Sequence, residues 1–207
     1  MDVITLSHRI STHLTDPAQR LVNTAQLLDI IKDAAEDASN GGWLIELEDN
    51  ESLTFTTGTY EYAVPASFYF LSDLYYESTV AGVYTGIVLP HEWRLATNGA
   101  VPVIRFDKDY ESIPTGRKLR VIGWRRPTTD YDADGDTIDA GMEAFLRERS
   151  LSYSARYLAR DGSQFARQNE QLFQDAFGVS DKMLQERLII QAKRMAEFQV
   201  QRQVPGR

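Results

Sequence analysis

Residues that catalysis and metal binding commonly use are scarce in this 207-residue chain, which has no cysteine and three histidines. The lack of cysteine excludes disulfides, thiolate zinc sites and cysteine nucleophiles. No apolar run approaches the length of a membrane span, and the first ten residues lack the basic start and apolar core of a secretion signal. We therefore expect a chain of the cytosol, or of something assembled there, with no membrane partner.

Positive charge is scarce in the first two thirds of the chain. Residues 1–138 carry 11 lysines and arginines against 21 aspartates and glutamates, a net charge of −10. Residues 139–207 carry 11 against 9, a net charge of +2. An acidic body repels phosphate backbones at long range, so tight sequence-independent binding of nucleic acid is disfavoured.

Motifs of known catalytic mechanisms are also missing. The sequence has no Gly-x-Ser-x-Gly elbow, phosphate-binding loop or dinucleotide fingerprint. His8 and His13 are five residues apart, a spacing that points them to different faces of a helix rather than at one metal. A glycosidase-type pair of carboxylates stays open, because its members can lie far apart in the chain. The sequence predicts no enzyme and no cofactor.

An acidic loop supplies the metal candidates. Asp130, Asp132 and Asp134, followed by Gly135, match the first half of a calcium-binding loop, in which alternate carboxylates converge on one ion. The twelfth position should be a bidentate glutamate, but it is Gly141. The sequence favours a solvated turn here and predicts no metal site.

The first part of the chain shows the spacing of helices. Apolar residues four apart indicate a short helix over 5–14, and a longer pattern at three-to-four spacing predicts a helix over 18–38. Asp16 is suited to cap the longer helix, with Pro17 at its first position. Asn40-Gly41-Gly42 predicts a left-handed end to it.

Short strands replace helices between residues 53 and 125. Segments rich in Thr, Tyr, Phe and Val predict strands at 53–57, 60–64, 67–77, 83–88, 101–106 and 117–125. Residues 68–71 are apolar on both faces of their strand, so they are covered on both sides or meet another subunit. Glycines and prolines between these strands predict a small antiparallel sandwich or barrel.

Three further helices are expected after the acidic loop. The first begins near Met142 and stops at Asp161-Gly162, the second ends at Gly178, and Ser180 caps the third. The predicted class is therefore α+β, with a β-sandwich or barrel inserted between an N-terminal helix and a C-terminal helical bundle. The predicted domains are helical 1–50, β-rich 51–128, a bundle at 129–200 that packs with the N-terminal helix, and a flexible tail at 201–207.

Arginines and aromatic residues are mixed on these C-terminal helices, as in the anchors of protein interfaces. One side of the first helix carries Arg149, Tyr153, Arg156 and Arg160. One side of the last helix carries Arg187, Ile190 and Arg194. The alternative for each arginine is a solvated helix face with intrahelical ion pairs.

The order of these segments resembles a known family. A capped helix is followed by Trp43, then by the stretch GTYEYAVP at 58–65, a later strand ending at Pro127, and a helix that contains YSARYLA at 153–159. This pattern resembles the head-to-tail connector, or adaptor, proteins of tailed bacteriophages.

The resemblance implies a structural virion protein of the phage neck, assembled in the cytoplasm of the host bacterium. About a dozen copies would form a ring that joins the portal to a tail, nozzle or tail-tube protein, while genomic DNA passes through the channel without specific binding. The implied portal contacts are Arg187, Ile190, Arg194, Phe198 and Arg202. The implied contacts between copies are Phe68, Tyr69, Phe70, Leu71, Tyr153 and Arg156.

Three other functions stay open on sequence grounds. One is a different ring-forming tail or collar component. Another is a calcium-assisted binder of carbohydrate or other ligands, using the 130–139 loop with Tyr75, Tyr76 and Trp93. The third is a single-strand nucleic-acid binder, which the pI of about 4.9 disfavours because such proteins follow the backbone with a positive groove.

Overall fold

The computed structural model describes residues 1–14, 21–107, 110, 112–131, 135–160 and 166–203. Within this part of the chain, two helices precede seven strands, and two further helices follow them. The residues form two compact units. The helical unit comprises Met1–Ile45 and Arg126–Ile190, and the β unit comprises Glu46–Arg125 and Gln191–Arg207. The predicted α+β class is confirmed.

The N-terminal helices begin at side-chain caps. Helix α1 spans Val3–His13 and starts where the carboxylate of Asp2 accepts a hydrogen bond from the Thr5 amide at 2.8 Å. Helix α2 spans Thr24–Asn40. Its start is a capping box in which Asn23 and Gln26 each accept the other's backbone N–H.

The predicted start of the longer helix is wrong. We expected it at 18 with Asp16 as the cap, but the helix begins six residues later. Asp16 and Pro17 lie outside the described residues. The Asn-x-x-Gln pattern at 23–26 satisfies two backbone donors reciprocally, whereas a lone aspartate satisfies one donor, so the capping box fixes the start.

The end of α2 follows the prediction. Gly42 has φ of +89°, and its N–H donates to the Ser39 carbonyl at 3.2 Å. The Trp43 N–H donates to the Ala38 carbonyl at 2.8 Å, which completes a Schellman motif. The chain turns sharply there, and the Trp43 ring packs on Phe145 at 5.2 Å between centroids.

The C-terminal part forms two helices where three were predicted. Helix α3 spans Glu143–Arg160, and helix α4 runs without a break over Ala166–Gln203. Gly178 does not end a helix, and the Ser180 hydroxyl donates to the Phe177 carbonyl within α4 instead of capping a new one. One glycine costs a helix about 1 kcal/mol, and apolar contacts on both sides of it, from Ala176 and Leu184, outweigh that cost.

The helical unit has a core of its own. Helices α1, α2 and α3 each direct one apolar stripe into it, and the first part of α4 covers it. Its fully buried side chains include Leu6, Ile10, Leu27, Ile31, Tyr131 and Phe145. The apolar spacing in the sequence is what places these residues on one side of each helix.

The seven strands form two sheets in the β unit. The four-stranded sheet has the order β1-β7-β3-β4, and the three-stranded sheet has the order β2-β6-β5. In chain order the strands are β1 Ile45–Thr54, β2 Glu61–Ala63, β3 Phe70–Glu77, β4 Tyr84–Val88, β5 Trp93–Asn98, β6 Val101–Phe106 and β7 Lys118–Arg125. Both sheets contribute to one aromatic core, in which Phe55 meets Phe106 edge-on at 5.6 Å.

Two strand predictions are wrong. The strand predicted at 53–57 overlaps β1 by two residues only, since β1 begins at Ile45. Strand β5 was not predicted at all. Strands β1 and β5 are both rich in charged or small polar residues in place of aromatic ones, and in β5 only Trp93 is buried. Neither strand therefore shows a strong alternating apolar pattern in its sequence.

Replacing Gly178 with alanine distinguishes a continuous helix from the predicted break. Apart from the helix's own backbone, no atom lies within 4 Å of the position that a Cβ would take at Gly178. Inside a helix, alanine is favoured over glycine by about 0.5–1 kcal/mol. We therefore expect Gly178→Ala to raise the free energy of unfolding by that amount, as measured by urea denaturation followed by circular dichroism.

Gly42→Ala is the matched control for that experiment. Gly42 has a positive φ, and an added Cβ would lie 3.3 Å from Leu188 Cδ2. We expect this variant to lose about 1 kcal/mol or more. Destabilisation by both variants would mean that Gly178 also ends a helix.

Candidate interaction surfaces

Titratable side chains do not converge on a metal in the described part of the chain. No group of three His, Asp or Glu residues there is arranged to hold an ion. Asp130 is exposed, while Asp132 and Asp134 lie outside the described residues. Over the same residues, the structure has no helix with the length and apolar character that crossing a membrane requires.

The histidines lie in exposed positions. His8 and His13 both line one shallow groove of about 330 Å³ on α1, although their spacing of five residues predicted that they point to different faces of the helix. The groove is also lined by Thr5, Arg9 and Thr12, which do not add a carboxylate. His91 is exposed in the turn between β4 and β5.

An apolar pocket opens between the two sheets of the β unit. It has a volume of about 460 Å³, and we call it the sheet pocket. Residues 68–71, predicted to contact another copy, form one wall. Leu95, Thr97 and Pro102 of β5 and β6 form part of the other wall. The structure therefore brings the apolar segment together with strands that lie well beyond it in sequence.

The four predicted contact residues differ in exposure. Leu71 is fully buried in the core of the β unit, whereas Tyr69 is 61% exposed. Phe68 and Phe70 are half-buried between these extremes. Exposure of a large aromatic side chain beside an open apolar pocket is typical of a binding surface.

Local backbone geometry positions this wall of the pocket. Phe70 pairs with Trp124 and Leu71 with Gly123, and a β-bulge follows between Leu71 and Asp73. A Cβ on Gly123 would lie 2.1 Å from the Phe70 carbonyl oxygen, so only glycine permits this close approach. The bulge bends the strand at the pocket, and the Phe70 ring rests on Trp124 at 5.6 Å.

A second apolar surface lies at the turn between β3 and β4. Val80 is 60% exposed and Val83 is 42% exposed, and we call these two side chains the hairpin knob. The turn is held in place by three hydrogen bonds of 2.7 Å: Ser78 N–H to the Val83 carbonyl, Gly82 N–H to the Glu77 carboxylate, and the Arg117 guanidinium to the Ser78 carbonyl. The bond from Gly82 also lowers the pKa of Glu77. The knob is thus apolar, exposed and fixed in conformation.

The aromatic residues proposed for carbohydrate binding do not share an open surface. Trp93 is buried, and the ring of Tyr76 covers Gly86 while it packs against the core. Tyr75 is half-buried beneath Arg120, whose guanidinium lies 5.9 Å from the ring centre and pairs with Glu48 at 2.5 Å. A sugar-stacking platform of these three residues is therefore not present.

The predicted portal contacts lie along α4. Arg187 donates to the Leu44 carbonyl at 2.9 Å and covers the Trp43 ring at 5.7 Å, so its guanidinium holds α4 within the helical unit. Ile190 is 47% exposed, and its neighbour Ile189, which sequence reasoning missed, is 55% exposed.

The remaining portal candidates follow on the same helix. Arg194 is half-exposed and lies 3.4 Å from Glu46. The backbones of Phe198 and Arg202 belong to α4, but their side chains lie outside the described part of the chain.

Tyr153 and Arg156 of α3 contact other helices of the same unit. The Tyr153 hydroxyl donates to Asp37 of α2, and the Arg156 guanidinium lies 5.3 Å from the Phe173 ring of α4. Tyr153 is half-buried. Both side chains therefore serve packing within one copy, whatever further contact their exposed atoms make.

Arg149 was expected on the same exposed stripe but is 4% exposed. Its guanidinium lies 3.8 Å from Asp37 of α2 and 3.8 Å from Asp181 of α4. It also covers the Phe177 ring at 4.3 Å and the Phe145 ring at 5.4 Å. The sequence signal that was available is its position three residues after Leu146 and four after Phe145, both of which are fully buried in the core.

The Tyr153 hydroxyl makes the helical unit sensitive to alkaline pH. Burial raises the pKa of Tyr153 to about 12, and the hydrogen bond to Asp37 and its charge act in the same direction. A raised folded-state pKa gives stability that is complete below about pH 10 and is lost as the pH rises to about 12. We expect Tyr153→Phe to lose stability at pH 8, by about 1 kcal/mol, and to show a smaller further loss between pH 10 and 12.

Urea denaturation at pH 8, 10, 11 and 12 measures the difference between the two profiles. Tyr69→Phe is the control, because Tyr69 is mostly exposed and belongs to the β unit. Parallel profiles for the parent chain and Tyr153→Phe would contradict the role given to this hydroxyl.

Comparison with known families adds one finding. A family model described as SU10 adaptor protein matches residues 1–198 of the chain. The match includes all seven strands and the part of α4 that carries Ile190 and Arg194. No match was found among curated proteins.

Proposed function

This chain belongs to the SU10 adaptor protein family of phage proteins, and from that premise we propose that it joins the portal to the tail as a ring-shaped head-to-tail adaptor. The resemblance predicted from the sequence is confirmed by the family match, and the protein is a structural adaptor of the phage particle. The proposed ring has about a dozen copies, and it sits at the neck of the virion after assembly in the host cytoplasm.

The observation that carries the proposal, beside family membership, is the set of apolar side chains that one copy leaves uncovered. Tyr69, Val80, Ile189 and Ile190 are each between 47% and 61% exposed. Exposed apolar patches on a folded protein mark sites of contact with other proteins. Several separate surfaces of this kind suit a protein that contacts its own copies and other virion proteins together.

We assign portal docking to the exposed side of α4. Ile190 supplies an apolar contact and Arg194 a charge, and the helix continues through Phe198 and Arg202. An arginine beside an apolar anchor is a common centre of a protein interface. Arg187 borders this surface, where its hydrogen bond to the Leu44 carbonyl and its cation–π contact with the Trp43 ring hold the helix in place.

The charge of the chain supports passage of DNA without binding. Each copy carries a net charge of −8, which a ring multiplies by its number of copies. DNA carries a negative charge for each ~1.7 Å of its axis, so an acidic channel keeps it from adhering to the wall. The proposed function involves no catalytic step.

The proposal predicts that the portal gains a ring when this protein is added. Purified full-length chain is mixed with the portal protein of the same phage and imaged by electron microscopy. We expect new ring density at the narrow end of the portal, since the adaptor extends the channel there. Particles that show no added density at saturating adaptor would overturn the proposed function.

A paired substitution tests the assignment of the docking surface. We expect Ile190→Asp combined with Arg194→Gln to weaken attachment to the portal at least tenfold, because about 1.4 kcal/mol of lost contact is enough for that change. Lys182→Gln is the matched control, since Lys182 is 77% exposed on the same helix. Attachment is measured by co-sedimentation with the portal, and circular dichroism checks the fold. Equal attachment of all three proteins would place the docking surface elsewhere.

A further inference from the structure

We propose that copies of this chain join head to tail, with the hairpin knob of one copy seated in the sheet pocket of the next. The occupant of the pocket is thus the turn at 78–83 of a second copy. This inference deepens the proposed ring and, to that extent, rests on the proposed function. It names the surfaces that close the ring, which neither family membership nor composition specifies.

The sheet pocket calls for an apolar occupant of modest size. The side chains that line it are apolar apart from the Tyr69 and Thr97 hydroxyls, and none of them is charged. Its volume of about 460 Å³ is at the low end of the range for pockets that hold a drug-sized ligand. Its mouth carries Tyr69 and Leu95, which are 61% and 37% exposed in one copy. A partner that covers these side chains removes apolar surface from water, which is favourable.

The hairpin knob has the properties of such an occupant. Val80 is 60% exposed, more than the other large aliphatic side chains of the described β unit, and Val83 beside it is 42% exposed. Valine has few rotamers, and the three hydrogen bonds of 2.7 Å already hold the turn, so little conformational freedom is lost on docking.

The two surfaces lie at opposite ends of the same strand. Phe70 begins β3 beside the pocket, and Glu77 ends it at the turn that carries the knob. Seven residue steps at about 3.3 Å each separate them by roughly 23 Å. A copy therefore does not fill its own pocket with its own knob, and the knob is available to a neighbour.

The symmetry of the assembly depends on how the two surfaces pair. A knob and a pocket on the same copy pair either reciprocally, which gives a two-fold dimer with two contacts, or in one direction only. One-directional pairing is a heterologous contact in which each copy contacts two neighbours, and such contacts close into rings when the rotation permits. This is the geometry that a ring-shaped adaptor needs.

The contact is small, which has a consequence for assembly. Two valines and one turn bury less than the ~800 Å² per partner of a standard interface. We therefore expect a weak contact between free copies. Copies held side by side on a portal gain a high effective concentration, and the same contact then forms.

The absence of cysteine from the chain permits a direct test. Copies with Val80→Cys are mixed in equal amounts with copies carrying Thr97→Cys, both concentrated alone and bound to the portal, and then oxidised. A disulfide needs Cα atoms within about 7 Å, so it reports a knob in a pocket. We expect the mixed dimer to exceed each self-linked dimer several-fold on non-reducing gels and by mass spectrometry of the linked peptides.

Lys182→Cys in place of Thr97→Cys is the control, because this exposed position belongs to the helical unit. It should link to Val80→Cys only at background level. Mixed dimers no more abundant than self-linked dimers, in the free and the portal-bound samples alike, would overturn the head-to-tail contact.

Attachment to the portal is scored in the same samples by co-sedimentation. Copies that attach but do not link position 80 to position 97 would overturn this inference and leave the proposed function standing. Copies that link these positions but never attach to the portal would support the contact and overturn the adaptor role.

Discussion

The buried guanidinium of Arg149 is the interaction on which the helical unit depends. It reaches from α3 to Asp37 on α2 and to Asp181 on α4, and it covers the Phe177 ring at 4.3 Å. Both carboxylates are nearly half-exposed and lie at 3.8 Å, so water screens the ion pairs and each is weak. The desolvated contact with the rings contributes more. Together they fix α4 against α2 and α3, which sets the direction in which Ile189 and Ile190 face.

Local signals in the sequence predicted the structure correctly where one short motif determines the backbone conformation. Asn40-Gly41-Gly42 predicted the Schellman end of α2, because only glycine adopts a left-handed conformation there at low cost. Such signals failed where packing overrides them. Gly178 resembles a helix end, yet the apolar residues on either side of it bury against one core and keep α4 continuous. Strand β5 was missed for the related reason that pairing with β6, and not its own composition, forms it.

The candidate surfaces were predictable in part. Residues 68–71 were predicted to form a contact because they are apolar on both faces of their strand, and they line the sheet pocket. The opposite wall comes from β5 and β6, and no periodicity brings those strands to β3. The bulge after Leu71 and the close approach at Gly123 shape the wall, and both are tertiary features. The burial of Arg149 was indicated only by its spacing of three and four residues from Leu146 and Phe145, and a surface stripe has the same helical spacing.

A connector has to be stable alone and yet form contacts only in the right place. The helical unit and the β unit each bury their own core, so the fold of one copy does not require a neighbour. The uncovered residues lie on a hydrogen-bonded turn, at a strand edge and along one helix, where they cost little stability. In the proposed ring each copy makes two such contacts, each of which is weak between free copies. Closure of that ring would convert weak contacts into a stable assembly, with the portal as the proposed source of the proximity that starts it.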